Sequence, residues 1–337
     1  MAERERWKAM VLRSMLRPAW LDANAPENDV AISSRCRYAR NLRGHHFPNH
    51  ASSAELKTIA ARVKEAGASL GLETFRRLGD TEREHMVGCR LMSTEFAPHE
   101  PGRLLLIDKS RAISIMVNEE DHLRIQSLQA GWSVGTAASQ AQHILKALDG
   151  LLEFATATPW GYLAASPFNA GEGVRLSAMF HLAGLAHTKR LNEVLGALSE
   201  SQLTARGLFG ESSRAVGAFF QVSMIRSDLP RFSGACEYVM REERLARGTV
   251  SRDQLNSIVQ DAIRFAVVSK SLSQVDALRV LAWARWGIAA GLVSVPLREV
   301  DEMLSTLELR NNPDEGAAAK DRAAALRARF EQVLAQL

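Results

Sequence analysis

The strongest constraint on the fold is a change of texture near residue 248. Before that point, short apolar runs alternate with turn signals; beyond it, apolar residues recur at helical spacing. Residues 103–107 and 112–117 are apolar runs divided by Asp108-Lys109-Ser110-Arg111, the pattern of a β-hairpin. Residues 162–165, 174–182, 203–209 and 215–224 read as further strands, and 137–154 and 188–198 as helices. Regular βαβ alternation is lacking, so the expected arrangement is an antiparallel β-sheet flanked by helices. After it, Ser251-Arg252-Asp253-Gln254 and Ser271-Leu272-Ser273-Gln274 both fit a capping box. Pro296 opens a third helix, and residues 317–337 form a fourth. The predicted class is therefore α+β followed by an all-α C-terminal domain. The expected boundaries are an N-terminal amphipathic helix and lead-in over 1–29, a mixed domain over 30–248 and a helical domain over 249–337.

Composition narrows the class. The 337 residues are 46% hydrophobic and 24% charged, which suits a folded globular chain. A net charge of +4 suits an anionic partner, and nucleotide phosphate, nucleic acid and acidic protein surfaces all qualify. Cys36, Cys89 and Cys236 are too few and too scattered for a disulfide framework or a CxxC zinc site. No signal peptide is read at the N-terminus. The most apolar stretch, 280–295, is interrupted by Arg285 and is too short for a membrane span, so a buried helix is expected and a cytoplasmic location follows.

Chemistry concentrates in four segments. In Ser33-Ser34-Arg35-Cys36-Arg37, the two arginines sit two apart and project from one face of an extended strand, where their guanidinium forks can grip oxyanions bidentately. A solvated basic strand or a nucleic-acid contact would read the same way. Asn118-Glu119-Glu120-Asp121-His122-Leu123-Arg124 puts three consecutive carboxylates at a strand end, which is costly without a compensating cation; Arg124 is close by. Ser166-Pro167-Phe168-Asn169-Ala170-Gly171-Glu172-Gly173-Val174-Arg175 is a tight loop with free backbone N–H groups that ends in an arginine. Arg206-Gly207-Leu208-Phe209-Gly210-Glu211 brackets glycines with an arginine and a carboxylate. Neither a P-loop nor HRD or DFG motifs occur.

Together these segments resemble the catalytic domain of the guanidino-kinase family, in its bacterial protein-arginine kinase branch. Pro26-Glu27-Asn28-Asp29 leading into Ile32-Ser33-Ser34-Arg35, and Ile113-Ser114-Ile115-Met116-Val117-Asn118-Glu119-Glu120-Asp121-His122-Leu123-Arg124, carry most of the likeness, which runs from about Trp20 to Arg247. The resemblance implies the guanidino-kinase catalytic fold and transfer of the γ-phosphate of Mg-ATP to arginine side chains of client proteins, with magnesium held mainly by ATP. It implies an arginine clamp on the phosphates from Arg35, Arg37, Arg124, Arg175 and Arg206. Glu120 and Glu211 would face the acceptor guanidinium, with Ser166 at the family's catalytic cysteine position. Ser33, Ser34, Cys36, Arg90, Leu176, Ser177, Ala178, Met179, Gly207, Leu208, Phe209, Gly210 and Glu211 would complete the nucleotide site. An activator protein and a homodimer are partners the resemblance allows; membrane and nucleic acid are not expected. The alternatives are an impaired member serving as an ATP- or arginine-binding adaptor, and a kinase for a small guanidino compound.

The chain departs from the family at several positions. The family loop reads Cys-Pro-Thr-Asn-x-Gly-Thr-Gly, and here Ser166, Phe168 and Glu172 replace its cysteine and both threonines. A serine hydroxyl stays neutral where a thiolate would carry charge, so reduced activity is expected. Glu172 would either stand in for the thiolate charge or repel ATP. Arg90 falls where the family has a nucleotide-site histidine. The branch's phosphoarginine-binding Arg-Asp-x-x-Arg-Ala motif aligns with residues 318–323, where Ala318 and Ala319 replace its first two residues. His122 and His181 are expected to be hydrogen-bonded structural residues.

Overall fold

The computed structural model describes residues 17–22, 24–96, 100–207, 216–307 and 314–334. The described residues divide into two compact units that interleave along the chain. The first holds the described residues within 17–20, 34–177 and 224–229; the second holds those within 21–33, 178–223 and 230–334.

In the first unit, the 103–107 and 112–117 runs form β3 (Leu104–Ile107) and β4 (Ile113–Val117), paired antiparallel with Leu105 opposite Met116. β4 pairs in turn with β5 (Leu123–Ala130), a strand absent from the sequence-based expectation. With β1 (Ala31–Arg40), β2 (Glu73–Phe75) and β8 (Val174–His181), the strand order in this unit is β2-β3-β4-β5-β1-β8. β1 and β8 both continue into the second unit.

The sheet is covered on both faces, which explains why its strands read as continuous apolar runs rather than as clean alternation. Leu104, Leu106, Ile115 and Val117 pack with Ile59 and Val63 of α1 (Ser53–Ser69) and with Leu145 and Leu148 of α3 (Val134–Asp149). The intervening Leu105, Ile107 and Met116 point the other way and pack with Met86 of α2 (Asp80–Gly88), Leu91 and Phe96. Each strand thus feeds two cores with a period of two. The expected strand at 162–165 contracts to β7 (Gly161–Tyr162), paired with β6 (Thr156–Ala157).

The second unit contains the strand order β1-β8-β10-β9, with β9 (Thr204–Gly207) and β10 (Phe219–Met224) antiparallel. Two short helices, α4 (Ala183–His187) and α5 (Leu191–Glu200), lie between β8 and β9 in sequence. α6 (Leu229–Gly248) follows β10, and then comes the helical set α7 (Arg252–Val268), α8 (Gln274–Ala289), α9 (Leu297–Leu307) and α10 (Glu315–Leu334). Ser251 caps α7 as its motif indicates, its hydroxyl accepting from the Gln254 amide at 3.2 Å. The next cap is Ser273 rather than Ser271; its hydroxyl accepts from the Asp276 amide at 3.1 Å. The helix starts late because Leu272 is tied to α10: its amide donates to Ala319 O and its carbonyl accepts from Arg322 Nε.

Arg285 is fully buried, and 280–289 is the buried helix expected of the 280–295 stretch; α8 ends at Ala289, and the rest of the stretch is turn. The Arg285 guanidinium is satisfied by Asp301 (Nε–Oδ1, 2.8 Å) and by the carbonyls of Asp29 and Asn28 at 2.9 and 2.6 Å. Arg322, the surviving arginine of the 318–323 stretch, is 1% exposed and spent on Leu272 O and Glu315. No described helix is long and apolar enough to cross a membrane.

Candidate active site

The site begins with the alternation of β1. Ser34 and Cys36 turn inward. Ser34 Oγ donates to Gly131 O at 2.8 Å and accepts from the Ser133 amide at 3.0 Å. The Cys36 thiol is fully buried, and burial pushes its pKa up to about 12. Arg35 and Arg37 turn to the opposite face. Strand order then decides their company, because β5 and β8 flank β1 and bring Arg124 and Arg175 beside them. Arg37, pulled well below the usual arginine range, registers this: burial comes first, followed by repulsion from Arg35, Arg124 and Arg175, with Glu119 acting in the opposite sense. Arg35 is drawn down to about 9 by burial and by Arg124, Arg90 and Arg175. Its Nε donates to Ser177 Oγ at 3.4 Å. Both remain cations at neutral pH.

The turn between β4 and β5 supplies the acids. Asn118, at φ +58°, shapes it, and its Nδ2 donates to Leu56 O and Gly102 O at 3.0 and 2.7 Å. Three adjacent carboxylates then meet three different fates. Glu119 is held bidentately by Arg124 Nη1, at 2.7 Å to each oxygen, and accepts from Ser93 Oγ at 2.6 Å. Burial raises its pKa, but Arg124 and the Ser93 bond outweigh this and leave it lowered. Asp121 is buried and accepts from Asn41 Nδ2 and the Ala165 amide, each at 2.7 Å. Among the described residues, the Glu120 carboxylate has no hydrogen-bond or ion-pair partner. Its pKa is raised by burial and then by Asp121 and Glu119. A carboxylate so placed is a better proton acceptor than an ordinary one.

Arg37, Glu119, Glu120, Arg124, Asn169 and Arg175 line one pocket. It presents a cationic wall next to a basic carboxylate, the equipment for gripping an oxyanion beside a proton-bearing nucleophile.

The other expected residues are each described within their own unit. Arg90 sits near Arg35 and over the Trp20 ring, 5.3 Å from its centroid. Ser166 precedes the turn Pro167–Asn169 and is not among the lining residues. Leu176 and Ser177 are buried on β8, as are Ala178 and Met179 in the second unit, and Ser177 Oγ is the group that accepts from Arg35. Ser33 is likewise buried, in the second unit. Arg206 is exposed on β9 opposite Gln221, with Gly207 opposite Phe220. Leu208, Phe209, Gly210 and Glu211 lie outside the described residues.

The Glu172 carboxylate accepts from the Ser227 amide at 2.8 Å and from Ser227 Oγ at 2.7 Å, and Glu172 is not among the residues lining the arginine-lined pocket. His122 is hydrogen-bonded as expected: Nδ1 accepts from the Leu42 amide at 3.0 Å and Nε2 donates to His46 O at 2.8 Å. His181 is not. It is fully buried and stacks on Phe219 at 4.9 Å, and neither ring nitrogen has a hydrogen-bond partner. Burial, Arg285 and Arg247 keep it neutral. Glu119 was visible in sequence only as one member of an acidic run. The signal for it is Arg124 five residues on, which a tight hairpin turn brings back to face it.

The sequence model for the ATP:guanido phosphotransferase C-terminal catalytic domain matches residues 53–227. The chain belongs to the ATP:guanido phosphotransferase family. It is a phosphotransferase, and members of this family draw on ATP. The chain is similar to the protein-arginine kinase of Halothermothrix orenii, with 34% identity over 291 residues, 82% of this chain and 83% of that one. It is also similar to the protein-arginine kinase of Desulforamulus reducens, with 33% identity over 294 residues, 82% of each. In fold it is similar to a crystal structure of lombricine kinase, with a TM-score of 0.58 at 21% identity, covering 72% of this chain and 78% of that one. The α+β arrangement with helices after the sheet is therefore a guanidino-kinase fold.

Proposed function

We propose that this phosphotransferase passes the γ-phosphate of Mg-ATP to arginine side chains of client proteins. The carrying observation is the single pocket in which Arg37, Arg124 and Arg175 face the unpartnered Glu120, in a chain similar to proteins named protein-arginine kinase.

The chemistry follows from two charge problems. ATP brings a polyanion, and Arg35, Arg37, Arg124 and Arg175 neutralise it while holding the γ-phosphorus in line. Glu119 is taken by Arg124, Asp121 by Asn41 and the Ala165 amide, and Glu120 is assigned to the acceptor, so magnesium is expected to enter with the nucleotide. The acceptor guanidinium is protonated at any working pH, with a pKa above about 12, and is a poor nucleophile. As one of its nitrogens bonds to the γ-phosphorus, the bond from that phosphorus to the ADP oxygen breaks, and the displaced proton passes to Glu120. The resemblance also assigns a clamp role to Arg206 and an acid role to Glu211; Arg206 belongs to the second unit and Glu211 lies outside the described residues.

The test is phosphoryl transfer from Mg-ATP to an arginine-rich protein, read as acid-labile phosphoarginine. Transfer to the protein and not to free arginine is the expected result. Transfer to free arginine alone would make the chain a small-guanidine kinase. Thermal stabilisation by ATP without transfer to either would make it an adaptor.

A further inference from the structure

The loop at 166–173 separates two cavities of the first unit. Gly173 and Val174 wall the arginine-lined pocket and also line a second cavity of about 710 Å³, completed by Phe168, Glu172, Ile225 and Ser227 among others. The loop is fastened on every side. Gly171 exchanges backbone hydrogen bonds with Tyr162 at 2.9 and 3.0 Å. The Gly173 carbonyl accepts from the Ala39 amide at 2.8 Å, and the Glu172 carboxylate is held by Ser227. The Glu172 carbonyl accepts from Arg40 Nη1 at 3.0 Å, while the Arg40 guanidinium lies 3.6 Å over the Tyr162 ring. From this base Phe168 stands 82% exposed, and Ile225, 44% exposed, lines the same cavity. A rigid loop that displays a bare phenylalanine beside a half-exposed isoleucine gives up apolar burial that a partner can recover.

The geometry points to this cavity as the subsite that reads the residue flanking the acceptor arginine, with Phe168 as its specificity-determining residue. The inference rests on the protein-arginine kinase reading. A small guanidino compound ends at the arginine-lined pocket, whereas a polypeptide that places its arginine there must continue past the loop. The wall shared through Gly173 and Val174 makes the second cavity the adjoining room for its next side chain. The chemistry favours an apolar or aromatic side chain, which packs on Phe168 and Ile225. An acidic one is disfavoured, because Glu172 and Asp228 outnumber Arg226 around the cavity and Ser227 holds Glu172 ionised.

Three short acceptor peptides that differ only beside one arginine, carrying Leu, Gly or Asp there, test this alongside free arginine. Phosphoarginine formation gives kcat and KM, and fluorescence anisotropy of labelled peptides gives binding without turnover. The wild type should favour the Leu peptide over the Gly peptide by about tenfold in kcat/KM, through KM, as a single apolar contact does. Phe168→Thr and Ile225→Ser should erase that preference while leaving the Gly peptide unchanged, with thermal melts confirming that both fold. Equal KM for the Leu and Gly peptides in the wild type would overturn the inference, as would an equal loss on every acceptor in the variants. If no acceptor is phosphorylated, the kinase reading falls, and anisotropy still decides the cavity: a Leu preference abolished by Phe168→Thr upholds it, and no preference overturns it.

Discussion

Replacing Glu119 by Gln tests the electrostatic design of the site most directly. In the folded protein this carboxylate offsets the arginine cluster. It holds Arg124 with two 2.7 Å bonds and opposes the repulsion acting on Arg37. The pair is partly buried, with side-chain exposures of 27% and 13%. Hydrogen bonds to charged groups are worth about 1.5–3 kcal/mol, and stripping one partner from a buried pair costs about 3–5 kcal/mol. Glutamine keeps one acceptor oxygen and some exposure screens the charge, so a loss of about 2 kcal/mol is expected without nucleotide. At roughly 2–4 °C per kcal/mol, the melting temperature should fall by about 4–8 °C. With ATP the order reverses. Phosphate oxygens supply the negative charge that the variant lacks, and Arg124 no longer has to leave a carboxylate to meet them. The ATP-induced rise in melting temperature should therefore be larger in the variant, while kcat falls because Arg124 has lost its positioning residue. Differential scanning fluorimetry with and without Mg-ATP reads both. An unchanged melting temperature without nucleotide, or a smaller ATP shift than in the wild type, refutes the reasoning.

Glu120→Gln removes the proton acceptor and keeps the shape, so kcat should drop by about 10²–10⁴-fold with KM for ATP little changed. In the wild type, the acid limb of the pH–rate profile should lie above the ordinary glutamate range, because burial and its acidic neighbours raise Glu120; a limb at or below that range would remove Glu120 from the role. Gly173→Ala places a Cβ 2.5 Å from Arg40 Nη1 and 2.8 Å from Ala39 O, at φ +60°. The left-handed conformation alone costs about 1–2 kcal/mol, so a total loss near 3 kcal/mol is expected in urea unfolding; wild-type stability would show that the wall yields freely. His122 is pushed down to about 4 by burial, from an ordinary value of 6.5. Between these values the unfolded chain binds more protons. Stability should therefore fall as pH drops from 6.5 towards 4, by on the order of 2 kcal/mol, and His122→Gln should flatten that slope.

The β3–β4 hairpin, the Ser251 cap, the buried Arg285 helix and the clustering of chemistry in four segments are all legible in the sequence. Each rests on spacing within a few residues, where backbone geometry translates pattern directly into structure. The Ser273 cap shows where this limit lies. Two overlapping serine motifs are locally equivalent, and a long-range tie between Leu272 and α10 selects one of them. β5 was missed for a different reason: Arg124, Gln126, Ser127 and Gln129 interrupt it, so it lacks the continuous apolar run that marks β3 and β4, and its pairing with β4 decides it.

The same division runs through the site. By itself, the sequence determined which arginines and acids are available and that Arg35 and Arg37 share a face, since side chains alternate along any strand. Only the tertiary structure set Arg124 and Arg175 beside them, because strand order depends on pairing between segments far apart in the chain. Only it separated Glu119, Glu120 and Asp121 into a clamp for Arg124, an unpartnered acceptor and a buried anchor. Three like charges in a row carry no label in sequence; the partners that reach each one assign its task.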